Sequence, residues 1–163
     1  MNHQAVSIYL NDHLAGATSG VELARRIAGA HRSSGRAGEL RRLADDIAED
    51  RESLLELMDA LDVTPRRYKV YGGWVAEKVG RLKPNGRVYH RSGLSTLIEL
   101  EALRMGIQGK HQLWQALLPV VMEHDGFDEE RLQTLLERAA DQMASVDALH
   151  DTAADSILRG GRD

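Results

Sequence analysis

The stretch 37-AGELRRLADDIAEDRESLLELMDALD-62 decides the fold. Its large apolar residues recur at intervals of three, four or seven positions: Leu40, Leu43, Ile47, Leu54, Leu57 and Leu61. At 3.6 residues per turn, this spacing places them on one stripe of an α-helix and leaves the polar residues on the other faces. The stretch therefore predicts an amphipathic helix over residues 37–62, which needs other helices against which to bury its stripe.

Three further segments repeat this apolar spacing, at residues 8–32, 95–123 and 128–158. Good helix formers dominate the chain, and it contains only three prolines. Thr96 and Glu99 have the spacing of a capping box at the start of the third segment, and Asp128 suits the start of the fourth. The sequence predicts an all-α fold of four helices, each about 40 Å long.

The lengths of the connections favour one arrangement of these helices. Helices 1 and 2 are joined by a short link, as are helices 3 and 4, whereas residues 63–94 form a long crossover between the two hairpins. Thr64-Pro65 predicts the start of a short helix within this crossover, which runs to about Gly80. In helix number and connectivity the chain resembles the ferritin-like superfamily, which implies an antiparallel four-helix bundle. The alternative is a pair of helical hairpins that completes its core by forming a homodimer or another homo-oligomer.

The composition indicates one ordinary globular domain over residues 1–163, with a frayed tail at 159–163. Charged residues make up 28% of the chain and hydrophobic residues 42%, so the class of disordered proteins is excluded. The chain has no cysteine, which excludes disulfides and thiolate sites and fits a cytoplasmic location. No signal peptide and no membrane span are recognisable.

The resemblance to ferritin-like proteins raises the question of a di-iron site. Such proteins carry Glu-x-x-His pairs on their helices, and the fourth segment offers Asp147-x-x-His150. Counting from the turn near residue 125 places Glu101 opposite His150 and Arg104 opposite Asp147. An arginine in that layer disfavours a divalent cation. We therefore expect no metal cofactor, and Glu101, Asp147 and His150 are the candidate ligands if iron or manganese binds.

Polar residues interrupt the apolar seams near the middle of the helices. Asp50 occupies the position between Ile47 and Leu54 where leucine is expected, and Lys110 and Gln142 interrupt the third and fourth seams. Asp50, Gln108 and Gln142 all fall about halfway along their helices, which predicts a shared polar layer. Such a layer either fixes the register of the helices or forms a small polar pocket.

The crossover is strongly basic. Residues 64–92 carry eight Lys and Arg against one Glu, a net +7, and since the whole chain is −4 the other residues carry −11. Pro84-Asn85-Gly86 predicts an exposed turn. The charges either neutralise the acidic faces of helices 2 and 4 or bind an anionic partner. The candidates for such binding are Lys78, Arg81, Lys83, Arg87 and Arg91.

These features predict a non-enzymatic binding or assembly module, because no pattern of catalytic residues is recognisable. The alternative is a ferritin-like carboxylate-bridged metal-binding protein or oxidoreductase.

Overall fold

The computed structural model describes residues 2–66, 93–121 and 128–159. These residues form four α-helices and no strand: α1 His3–Ala30, α2 Ala37–Ala60, α3 Gly93–Val121 and α4 Glu129–Leu158. The all-α, four-helix fold predicted from the sequence is confirmed.

Two helices begin earlier than the apolar spacing predicts. Asn2 caps α1, because its side chain accepts a hydrogen bond from Ala5 N at 3.2 Å. The capping box at Thr96 and Glu99 is wrong, since α3 already starts at Gly93. Glu99 instead pairs with Arg26 of α1 at 3.3 Å. The prediction for α4 holds, with Asp128 as its N-cap residue.

The helices pack around one apolar core. The backbones approach closely between α1 and α2, between α1 and α3, and between α3 and α4. The core contains the stripe of α2 together with facing residues of the other helices, and the indole of Trp114 is completely buried within it. Burial of these side chains is the main source of stability for the bundle.

Gly93 marks a close approach at the start of α3. A Cβ atom at this position would lie 2.6 Å from Cγ1 of Ile157, so a larger residue would require the Ile157 side chain to shift. The contact holds the first turn of α3 against the last turns of α4.

The chain leaves α2 through a residue in the left-handed conformation, Asp62, with φ 54°. Aspartate tolerates this conformation better than most residues. Val63 N then donates to Met58 O at 2.8 Å. The turn directs residues 63–66 back towards the first half of α1.

No helix among the described residues is both long enough and apolar enough to cross a membrane.

Candidate functional site

Asp50 is the most deeply buried ionisable side chain described, with 1% of its side-chain surface exposed. It lies on the apolar stripe of α2, between Ile47 and Leu54, and the stripe turns it towards the bundle interior. A carboxylate at this depth is stable only when hydrogen bonds and opposite charges compensate for its lost hydration.

Side chains from α3 and α4 supply that compensation. Lys110 Nζ donates to both Asp50 Oδ2 and Gln142 Oε1. Gln142 Nε2 donates to Asp50 Oδ2 at 2.9 Å, and the guanidinium of Arg138 pairs with Asp50 Oδ1. We call Asp50, Lys110, Arg138 and Gln142 the polar layer.

The layer reaches the surface through Arg138. Its second terminal nitrogen donates to Glu49 Oε2 at 3.0 Å, so one guanidinium joins the buried carboxylate to an exposed one. The polar layer thus contains two cations and one buried carboxylate, and the Glu49 carboxylate lies at its rim. No side chain in it is left with an uncompensated charge.

Burial shifts the protonation equilibria in and beside the layer. Loss of hydration lowers the pKa of Lys110, and the adjacent Asp50 carboxylate opposes this by its charge and its hydrogen bond. Loss of hydration also raises the pKa of Asp46, against the attraction of Arg138. Elsewhere, burial lowers the pKa of His13, which lies edge-on to Tyr9 on α1.

The structure brings together two of the three residues predicted for a polar layer. Asp50 and Gln142 are hydrogen-bonded directly, whereas Gln108 contacts Arg104, whose Nη1 donates to Gln108 Oε1 at 3.1 Å. Lys110, two residues after Gln108, contacts Asp50 and Gln142 instead, because it lies on the inner seam of α3. The only feature of the sequence that could have assigned Arg138 to this layer is its spacing of four residues from Gln142.

The candidate metal ligands lie together near the surface between α3 and α4. His150 Nε2 is 3.2 Å from Glu101 Oε1, and Arg104 Nε donates to Asp147 Oδ1 at 3.1 Å, both as the turn spacing predicts. Arg104 thus places a positive charge on one of the three candidates. Within the described ranges, no group of three or more His, Asp or Glu side chains is arranged to hold a metal ion.

Asn11 is a buried polar residue that sequence reasoning missed. Its amide nitrogen donates to Ser7 O at 2.8 Å and Thr64 O at 3.3 Å, and its oxygen accepts from Arg66 N at 2.6 Å. The side chain therefore fixes the first residues after α2 to α1. A polar residue next to Leu10, on the inner face of α1, is the only signal in the sequence.

The candidate anion-binding residues Lys78, Arg81, Lys83, Arg87 and Arg91 lie outside the described residues. No family model matches the chain, and searches of curated proteins and of solved structures return no match.

Proposed function

We propose that this chain is a non-enzymatic binding or assembly module whose basic segment, residues 64–92, contacts an anionic partner. One observation carries the proposal: three carboxylates of α2 at the seam with α4 already have cationic partners within the bundle. Arg138 pairs with Glu49 and Asp50, and Arg131 pairs with Glu56.

These pairs argue against the alternative in which the basic segment neutralises the acidic faces of α2 and α4. Because Arg131 and Arg138 already supply positive charge at that seam, the three carboxylates paired there do not require the eight cationic residues of the segment. Clustered Lys and Arg favour phosphate-bearing or carboxylate-rich partners, and binding of this kind weakens as salt rises.

We also propose that the helices have the antiparallel, ferritin-like connectivity. Two ion pairs support it: Arg26 near the end of α1 meets Glu99 near the start of α3, and Glu56 near the end of α2 meets Arg131 at the start of α4. With that connectivity the chain between α2 and α3 must return along the bundle, and residues 63–94 are long enough to do so.

An assembly role as a homo-oligomer is supported by an apolar stripe on α3. Leu94, Ile98 and Met105 recur at helical spacing and are 54%, 38% and 70% exposed. Glu99, Arg104 and Lys110 are engaged by other helices. Glu101 lies on the same stripe between Ile98 and Met105, and its carboxylate contacts His150 of α4. We further propose a cytoplasmic location, which the absence of cysteine supports.

Heparin binding tests the anionic partner. The parent protein should bind a heparin column at about 50 mM salt and elute by about 200 mM, because binding releases counterions. The triple variant Arg81→Glu, Lys83→Glu and Arg87→Glu should flow through, with an unchanged thermal unfolding midpoint. These three residues flank the predicted exposed turn.

A matched control variant distinguishes binding by the basic segment from a general effect of the protein's net charge. Arg25→Glu, Arg32→Glu and Arg42→Glu change the charge equally at exposed sites on the described surface, and this variant should still be retained. If the parent never binds and the segment variant instead loses stability, the basic residues neutralise the bundle and the proposal is wrong.

We propose that the bundle has no resident iron or manganese, because Arg104 neutralises Asp147 beside Glu101 and His150. Elemental analysis of protein purified without a histidine tag tests this. One or two metal ions per chain would favour the carboxylate-bridged alternative.

A further inference from the structure

A groove with a volume of about 360 Å³ opens between α2 and α4 on the outer side of the polar layer. An ion pair closes each end: Glu49 with Arg138 at one, and Glu56 with Arg131 at the other. The paired residues are seven positions apart on both helices, which corresponds to about 10 Å along the axis. This length is suited to one small group rather than to a long chain.

The middle of the groove presents hydrogen-bond acceptors. Ser53 lines it, is 8% exposed, and has no hydrogen-bond partner among the described residues. Thr134 donates its hydroxyl hydrogen to Glu130 O at 3.0 Å, so its oxygen remains an acceptor. Glu52 contacts Arg51 through one carboxylate oxygen, at 2.6 Å, which leaves the other oxygen available.

The charged and apolar residues that line the groove determine which class of ligand it can bind. The lining carries three carboxylates and two guanidinium groups; both guanidinium groups are already paired, and Arg51 outside the groove contacts only one oxygen of Glu52. An anion would meet Glu52, whereas an ammonium group offers three donors and needs only acceptors. Leu135 provides an apolar surface for the methylenes next to such a group.

We propose that this groove binds a primary alkylammonium group, held by Glu52, Ser53 and Thr134 with its alkyl chain against Leu135. The ligand is a small aliphatic amine or the side chain of a lysine. The residues that line this groove lie outside the basic segment in the sequence, and the ligand has the opposite charge, so either proposal can fail without the other.

Amide NMR shifts measured during titration with butylammonium chloride test the site. Saturable shifts are expected in residues 49–56 and 131–138. Tetramethylammonium chloride at the same ionic strength should give none, because it has the charge but no N–H donor. If both salts produce the same shifts, or neither produces a saturable change, the groove has no ammonium site and the proposal is overturned.

Three variants assign the binding to the groove. Glu52→Gln and Ser53→Ala should each weaken butylammonium binding by about tenfold, in line with the loss of a hydrogen bond to a charged group. Asp59→Asn removes the same charge from an exposed position of α2 outside the groove and should leave the affinity within about twofold. Equal weakening in Glu52→Gln and Asp59→Asn would mean general attraction to an acidic helix, which overturns the proposal.

A capped Gly-Lys-Gly peptide distinguishes the two sources of the ammonium group. Tighter binding of the peptide than of butylammonium identifies a protein lysine as the ligand. Equal or weaker binding of the peptide identifies a free amine. Failure of both ligands to bind contradicts the site itself.

Discussion

Lys110 of α3 donates a hydrogen bond to Asp50 of α2, across two helices that are not among the closely packed pairs. The contact therefore spans the interior of the bundle rather than a helix–helix seam. Because Lys110 also donates to Gln142, one ammonium group ties α3 to both α2 and α4. The charges of Lys110 and Asp50 therefore compensate each other inside the bundle.

Asp50→Leu should lower the free energy of unfolding by about 3 kcal/mol, because Lys110 and Arg138 lose their buried anion. If the polar layer served only to fix the helix register, this substitution would leave the free energy of unfolding unchanged or raise it. The double variant Asp50→Leu, Lys110→Met removes both buried charges and should recover most of the loss. Urea unfolding measures both, and an equal loss in the single and double variants would contradict the coupling.

Because the ammonium group of Lys110 is buried, the free energy of unfolding should vary with pH in the alkaline range. Its pKa is lower in the folded state than in the unfolded chain, so above the folded pKa the unfolded state binds more protons. The free energy of unfolding should therefore gain from this residue as pH rises from the folded pKa towards about 10.5. Lys110→Met removes the contribution, so the difference between variant and parent should change steadily over that range. A constant difference from pH 8 to pH 10.5 would rule the shift out.

Arg104 and Asp147 should show measurable but modest coupling in a double-mutant cycle with alanine. Their side chains are 34% and 55% exposed, and the expected coupling is about 0.5–1 kcal/mol. Arg159 and Asp155 form a matched control pair with a similar 3.0 Å contact and exposures of 82% and 65%. Coupling in the control should be smaller, since water screens it more. Zero coupling for Arg104 and Asp147 would contradict the contact between α3 and α4.

Asn11→Ala should release the chain where it leaves α2. Loss of the bonds to Thr64 O and Arg66 N should cost about 1–2 kcal/mol and speed hydrogen exchange at the Arg66 amide. Asn2→Ala removes a helix cap elsewhere on α1 and should destabilise without changing exchange at Arg66. Unchanged exchange in Asn11→Ala would show that the side chain does not hold this segment.

Contacts within a hairpin are predictable where a short turn fixes the register. The turn between α3 and α4 places Arg104 opposite Asp147 and Glu101 opposite His150, and both contacts are present. Contacts across the bundle are not predictable in this way. The positions of Asp50, Gln108 and Gln142 along their helices suggested a layer, yet Gln108 does not contact Asp50, because a shared height says nothing about the rotation of a helix about its axis.

The sequence by itself determined the four helices, since apolar spacing is local and each segment contains its own period. It also determined that Asp50 is buried, because the residue lies on the stripe of α2. Only the tertiary structure decided that Lys110 and Arg138 meet Asp50 and that a groove separates α2 from α4. The physical reason is that the long side chains of Lys110 and Arg138 reach Asp50 across distances that the packing of the helices determines. No local pattern in the sequence encodes how far apart α2 and α4 lie.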